Sequence, residues 1–298
     1  MGSITPLPDI DFYSSPYLAE HYDLLSANET AFYTDIAFFE KQLHQIRELK
    51  RARGENPDRV VVLDVGTGTG RALHSLAELA HKSQIDLSPA VFIGFDISQD
   101  MVDRAAQTRD MPYVGNVAWR CAAAGDLDKV VADSGIENQV DLLLFADGGF
   151  LHLHDHSMAG QFLDCLSKAL RPDIGRACIS ITNADTVKSG KDMNYYDHSG
   201  APREYKSINY PGLVYQNSFL SHKEDGALQT STFQLKVFRE TGDGQRQLIE
   251  SRRTTLKGRA WNEEEVSQLV EASSGIKVVE IGRPDHLQMF FVLQKEEC

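Results

Sequence analysis

The sequence predicts an α/β fold, doubly wound around a parallel sheet and carrying an antiparallel insertion, and three observations lead there. From Val60 onward short β-like runs alternate with helical patterns, which is the signature of a parallel sheet flanked by helices. The first run passes directly into a glycine-rich turn at Gly66, Gly68 and Gly70. After Thr182 the alternation stops, three long alternating segments follow, and the chain then returns to a helix and two final strands.

Taken in order, the first 27 residues hold Pro6, Pro8 and Pro16 among scattered aromatics and read as an arm that gains order by lying on something else. Asn28 reads as a helix cap. From Phe32 the apolar residues Ile36, Phe39, Leu43, Ile46 and Leu49 recur every three or four positions, which predicts one face of a helix ending near Gly54. Strands are predicted at 60–65, 91–95, 117–120, 140–145 and 177–181. Between them helices are expected at 71–82, 99–108, 127–133 and 157–170, the last stopped by Pro172. The insertion is expected as three strands at 214–222, 229–239 and 246–257. A capped helix at 262–272 and strands at 277–281 and 289–294 close the chain.

Composition excludes several classes of function. The chain of 298 residues carries a formal net charge of −13, and its longest basic stretch, Arg47, Lys50, Arg51 and Arg53, reads as a single solvated helix end. Nucleic acid is therefore not expected as a partner. No run of about 18 apolar residues is present, and the first residues lack the basic-then-apolar pattern of a signal sequence, so neither a membrane nor secretion is expected and a cytoplasmic location is. Cys121, Cys165, Cys178 and Cys298 show no C-x-x-C spacing and are expected as reduced thiols.

The sharpest local signal is the strand Val60-Val61-Val62-Leu63-Asp64-Val65 running into Gly66-Thr67-Gly68-Thr69-Gly70 and then a helix. Glycines let the backbone turn tightly and approach a ligand, and the helix N-terminus behind them offers unpaired N–H groups. A dinucleotide site wants a third glycine where this chain has Arg71, which argues against a nicotinamide cofactor. Asp96 ends the second strand, where a carboxylate is placed to accept both ribose hydroxyls. Asp126 follows the third strand, where it can accept from an adenine amine with Leu127 against the ring, or cap the next helix.

These residues resemble the class I, seven-strand, S-adenosylmethionine-dependent methyltransferases. The resemblance is carried by Asp64-Val65-Gly66-x-Gly68-x-Gly70, by Gly94-Phe95-Asp96-Ile97-Ser98-x-x-Met101, by Gly125-Asp126-Leu127, by Asp141-Leu142-Leu143-Leu144, by Leu166-x-x-x-Leu170-Arg171-Pro172 and by Trp261-Asn262-x-Glu264-Glu265. It covers about residues 20 to 298 and implies the sheet order 3-2-1-4-5-7-6 with the seventh strand antiparallel. It further implies an arm and cap helix over 1–58, a cofactor-binding core over 59–182, a substrate lid over 183–260, and a closing helix and two strands over 261–298. S-Adenosyl-L-methionine is the implied cofactor, held by Asp64, Gly66, Thr67, Gly68, Gly70, Asp96, Ile97, Met101, Gly125, Asp126, Leu127 and Ala146, with no metal.

The chemistry is expected beyond the fourth and fifth strands. Asp147 and His152 stand there, and Tyr22 of the Tyr-Asp pair near the N-terminus is expected to fold over the cofactor, as its counterpart does in related methyltransferases. These three are the catalytic candidates, with His152 as base. His152, His154 and His156 alternate in a way that invites a metal, but they crowd one loop and no distant cysteine or carboxylate motif completes a set. The stretch is similar to the small-molecule branch that includes glycine N-methyltransferase, through His152-Leu153 and the insertion. It departs at Thr182-Asn183-Ala184-Asp185, where that branch has an arginine for a carboxylate, and at Gly148, where it has asparagine; glycine as substrate is therefore not expected. Tyr195, Tyr196, Tyr205, Tyr210 and Tyr215 concentrate in the insertion and suggest a wall for a flat ligand, or lid packing. The expected activity is methyl transfer to oxygen or nitrogen of a small, partly aromatic metabolite by a monomer or homodimer. A rearrangement or cyclisation using the same cofactor, or a non-catalytic regulatory module, are the alternatives.

Overall fold

In the computed structural model, residues 15–28, 34–182, 202–241, 244–273, 275–284 and 288–296 are described. The central sheet is formed by β1 (Val61–Val65), β2 (Val91–Asp96), β3 (Asn116–Cys121), β4 (Leu142–Phe145), β5 (Arg176–Thr182), β10 (Ile276–Gly282) and β11 (Gln288–Lys295). Its order is β10-β11-β5-β4-β1-β2-β3. Five strands run parallel, while β11 lies antiparallel to β5 and β10 antiparallel to β11. This is the expected topology. The order reverses beside β1, with β2 on one side and β4 on the other, so the carboxyl ends of those strands open a crevice where ligands of such sheets bind.

Both sheet faces are covered, which is why the strands read as near-continuous apolar runs. On one face α2 (Thr34–Ala52) and α3 (Arg71–Lys82) bury Phe39, Leu43, Ile46, Leu73 and Leu76 against Val62, Leu142 and Phe290. On the other, α5 (Leu127–Asp133), α6 (His156–Ala169) and α7 (Glu263–Ala272) bury Phe162, Leu163, Val266 and Val270 against Leu63, Leu143 and Phe291. Each such side chain contributes about 1.5–3 kcal/mol. Lys50 of α2 reaches through the core to Asp141, at 2.7 Å with both side chains 2% exposed, and so fixes α2 against the start of β4. The remaining core helix, α4 (Gln99–Thr108), is capped by Ser98, whose hydroxyl accepts from Met101 N–H at 3.4 Å.

The insertion after β5, expected as the lid, is one antiparallel sheet of four strands, β6 (Arg203–Lys206), β7 (Leu213–Asp225), β8 (Leu228–Glu240) and β9 (Arg246–Arg259), in that order. Three of these were expected; β6 is short and without an apolar run, so the sequence pattern does not announce it. The N-terminal arm also differs from expectation. Residues Leu18–Asn28 form helix α1, and Asn28 ends it instead of capping α2. This helix has only a weak apolar stripe of its own. It is ordered by a third core cluster in which Leu18 and Ala19 meet Met101 of α4 and Leu213, Tyr215, Leu235 and Val237 of the lid.

Candidate active site

The glycine loop is held from beneath. Thr67 N–H donates to the Phe95 carbonyl at 2.9 Å, tying the loop to β2, and the Thr67 hydroxyl donates to Asp64 at 2.6 Å. Asp64 is 1% exposed, and burial pushes its carboxyl up to about 7. Gly66, Gly68 and Gly70 all have positive φ, of 62°, 55° and 79°. Around them a Cβ would meet Phe145 at Gly66 and Tyr22 at Gly68, while at Gly70 it would lie 2.6 Å from the Trp119 ring. Gly70 therefore makes room for Trp119, and the first two glycines leave the loop's backbone open to the crevice.

Asp96 closes the crevice at the end of β2. One carboxylate oxygen accepts from Ser98 N–H and the other from Gly68 N–H, each at 2.9 Å. The two backbone bonds orient the group and leave a lone pair on each oxygen, which fits a pair of vicinal hydroxyls. Burial raises its pKa, opposed by those two bonds. Beside it Ile97 is 64% exposed, a large apolar surface with no protein cover, as a docked flat ring would require. Gly125 and Asp126 are exposed near the end of β3, and the Asp126 carboxylate turns back to accept from Ala123 N–H at 3.3 Å, so it does not cap α5. Leu127 and Met101 both lie inside the protein. Leu127 is fully buried in the core and Met101 is buried against α1 and the lid, because each supplies the apolar residue its helix must turn inward.

At the end of β4 the chain turns sharply, with Ala146 half-buried at the crevice edge and both Asp147 (φ 53°) and Gly148 (φ 66°) left-handed. The buried Ser180 of β5 holds this turn, its hydroxyl accepting from Gly148 N–H at 2.7 Å. Tyr22 of α1 arrives from the opposite side and donates its hydroxyl to Asp147 at 2.7 Å. Burial and the neighbouring Asp147 carboxylate hold the Tyr22 phenol well above its ordinary pKa, so it stays a neutral donor. Arg71, the residue that breaks the dinucleotide pattern, is paired with Asp35 through two bonds at 3.2 and 2.6 Å and lends its charge to Tyr22 and Asp147.

His152 ends a short 3-10 turn, Gly149–His152. Its side chain is exposed at the crevice edge yet partly walled by protein; that loss of hydration lowers its pKa, opposed by the Lys257 backbone and the Asp96 charge. The three alternating histidines diverge. His154 turns back to the His152 carbonyl at 3.2 Å, and His156 packs edge-on against Trp261 at 5.3 Å. Among the described residues no three histidine, cysteine, aspartate or glutamate side chains converge on one point.

The arrangement therefore joins a carboxylate with a lone pair left on each oxygen, an exposed apolar surface beside it, and an imidazole with a lowered pKa. Comparison with known proteins places the chain in a family. The methyltransferase domain model matches residues 57–236. This chain belongs to the methyltransferase domain family. It is 30% identical over 245 residues to N-methyltransferase FrzE of Cladobotryum sp, an alignment covering 81% of this chain and 82% of that protein. Its fold matches the sugar N-methyltransferase KedS8 of Streptoalloteichus sp, with TM-score 0.62, 15% identity and coverage of 92% and 93% of the two chains. It also matches an S-adenosylmethionine-dependent methyltransferase of Clostridium acetobutylicum, with TM-score 0.59, 12% identity and coverage of 94% and 98%.

For a methyltransferase of this family, several supporting residues escaped the sequence reading. Asp23 of α1 accepts from Thr69 at 2.6 Å, Arg104 at 2.8 Å and Arg109 at 2.7 Å, binding α1 to the glycine loop and α4. Glu20, one turn away, is buried and accepts from the hydroxyls of Tyr215 at 2.6 Å and Ser207 at 2.7 Å and from Ile208 and Asn209 N–H at 2.9 and 2.7 Å. The Tyr-Asp pair was the available signal for Asp23; nothing local marked Glu20. The lid tyrosines take a structural part. Tyr215 is fully buried, and Tyr205, Tyr210 and Tyr215 surround Tyr17 and His21 at centroid distances of 5.6 to 6.3 Å. Tyr195, Tyr196 and the Asn183-Ala184-Asp185 stretch lie outside the described residues.

Proposed function

We propose that the chain is an S-adenosylmethionine-dependent N-methyltransferase acting on a small-molecule amine. The observation that carries this reading is the Asp96 carboxylate, fixed by two backbone N–H groups with a lone pair free on each oxygen, in the same crevice as Tyr22, Asp147 and His152. The name of the relative at 30% identity favours nitrogen over oxygen as the acceptor. Bound S-adenosylmethionine supplies a methyl group made electrophilic by a positively charged sulfur.

The residues of the chain then have definable parts. Asp96 grips the ribose, Ile97 and Asp126 meet the adenine, and the loop from Gly66 to Gly68 accommodates the methionine portion. An amine is an ammonium ion at neutral pH and must lose a proton before its lone pair can attack. His152, with its pKa lowered, is neutral there, so a ring nitrogen accepts that proton and passes it to solvent. Tyr22 and Asp147 close the crevice from the α1 side and shed water, and positioning of this kind contributes about 7–11 kcal/mol to such reactions. Between the ends of the lid, the cross-strand pair Phe219 and Phe233, with ring centroids 5.5 Å apart, shares the face of buried Leu235 and Thr254 and forms an apolar wall for an acceptor with a ring.

The test is release of S-adenosylhomocysteine in step with N-methylated product from a panel of aromatic and aliphatic amines. Product formation from an amine supports the reading. Methylation confined to hydroxyl acceptors, or product without S-adenosylhomocysteine, would contradict it.

A further inference from the structure

Strand β5 is apolar along its buried length, with Ala177, Cys178, Ile179 and Ile181 at 2% exposure or less, except for Ser180, which is fully buried among them. A hydroxyl at such a position costs stability unless it is hydrogen-bonded. Both of its partners lie on the turn after β4. The Ser180 hydroxyl accepts from Gly148 N–H at 2.7 Å and donates to the Phe145 carbonyl at 3.2 Å. The β4–β5 ladder ends at the pair Phe145 and Ile179, so one side chain takes over where backbone pairing stops and ties both ends of the turn 145–148.

The turn has little slack. Asp147 is left-handed at φ 53°, a conformation a non-glycine residue keeps only where its surroundings impose it. A Cβ on Gly148 would lie 3.2 Å from Thr182 Oγ1, and one on Gly149 would lie 2.5 Å from the Phe145 ring, so the turn sits tight on the end of the sheet. Asp147 is the one ionisable side chain of this turn, and it accepts from the Tyr22 hydroxyl at 2.7 Å, a bond between residues 125 positions apart. The geometry of that bond depends on where the turn holds Asp147, and the turn depends on Ser180.

We propose that Ser180 is a positioning residue of the reaction, whose hydroxyl clamps the turn 145–148 and so sets the Asp147 carboxylate against Tyr22 to complete the wall of the acceptor site. The proposal rests on the reading that Tyr22 and Asp147 close that site.

The experiment has two readouts on the full-length protein. The first is proton NMR of the Tyr22 hydroxyl, assigned by its loss in Tyr22→Phe, because a buried phenolic proton bonded to a carboxylate exchanges slowly and resonates downfield. The second is a double-mutant cycle on kcat/KM, for the amine of the panel that turns over fastest, with Ser180→Ala, Asp147→Gly and their combination. Asp147→Gly removes the carboxylate and suits the left-handed backbone. Folded Ser180→Ala should lose or shift the Tyr22 resonance and lose about 10- to 10²-fold in kcat/KM, the scale of a small misplacement in an active site. In the Asp147→Gly background the same change should cost no more than about twofold, which a general loss of stability would not produce. Where Ser180→Ala does not fold, Ser180→Cys, whose thiol is a weak donor and acceptor, carries the same readings. An unshifted Tyr22 resonance in the folded variant, or no such resonance in the wild-type protein, overturns the proposal. Full additivity with an impaired Asp147→Gly removes only the part given to Ser180. A fully active Asp147→Gly removes Asp147 from the acceptor site, and with it the reading on which the proposal rests.

Discussion

His152 and His21 are both histidines with pKa values lowered by burial, and they make opposite demands on an experiment. As the proposed base His152 works only when neutral, so turnover should hold from neutral pH down past the ordinary imidazole value of 6.5 and fall only below the lowered pKa. His152→Gln should lose about 10²–10⁴-fold in kcat and with it this acid limb; an unchanged limb in that variant would assign the proton to another group. His21 is buried against Tyr205 and Tyr215, and its pKa is lowered to about 4. Between about 6.5 and about 4 the unfolded chain binds a proton at this position and the folded chain does not, so stability falls as pH falls through that window. At 1.36 kcal/mol per pKa unit the loss is about 3 kcal/mol. Asp64, raised to about 7, works in the other direction, being stabilising when protonated and losing that contribution as pH rises. The difference in unfolding free energy between wild type and His21→Phe isolates the histidine, and it should shift by about 3 kcal/mol against the wild type from pH 7 to pH 4. A pH-independent difference would show that His21 is hydrated in solution. At this scale the sequence was informative wherever a motif fixed position. The positions of Asp96 and Ile97 at the end of β2 could be named because a strand, a carboxylate and an apolar residue sit in register. The burial of Leu127 and Met101 could not be read from a motif, since an apolar residue opening a helix serves the core and a ligand equally well.

Helix α1 is the element that holds the site together, and it was the least legible. Glu20, Tyr22 and Asp23 leave the same short helix in three directions, to the lid, to Asp147 and to the glycine loop with α4. Burial pushes Glu20 up, but its hydrogen bonds outweigh that and leave its pKa lowered, the sign of a carboxylate built in as an anion. Glu20→Ala leaves four donors without their acceptor, of which only the Tyr215 hydroxyl belongs to a fully buried residue, and should destabilise by about 1–3 kcal/mol. Amide exchange should accelerate at 207–215 and in α1, while the strands of the central sheet keep their protection. Uniform acceleration throughout the chain would mean that α1 is not a separate clasp. No apolar periodicity announces this helix because its order comes from polar bonds and from partners distant in sequence. The strands β7, β8 and β9 were legible from alternation; their use of Tyr215 as buried packing was not, because alternation identifies a face without saying what lies against it.

At the scale of the molecule, the sheet order and the reversal beside β1 follow from the order of motifs along the chain, since each motif marks a strand end and short crossovers leave few topologies open. What the order does not determine is the acceptor, which depends on how the lid meets the core at Gly258, Leu151 and the Phe219–Phe233 pair. The central claim is that the crevice at the end of β1 and β2 binds S-adenosylmethionine through Asp96. Calorimetric titration of the full-length protein and of Asp96→Ala with S-adenosylmethionine and with S-adenosylhomocysteine tests it most directly. The account predicts one site per chain for either ligand, weakened in the variant by about 1.5–3 kcal/mol, the scale of hydrogen bonds to a charged group. Equal affinity in the folded variant, or no heat of binding with the folded wild-type protein, would contradict it.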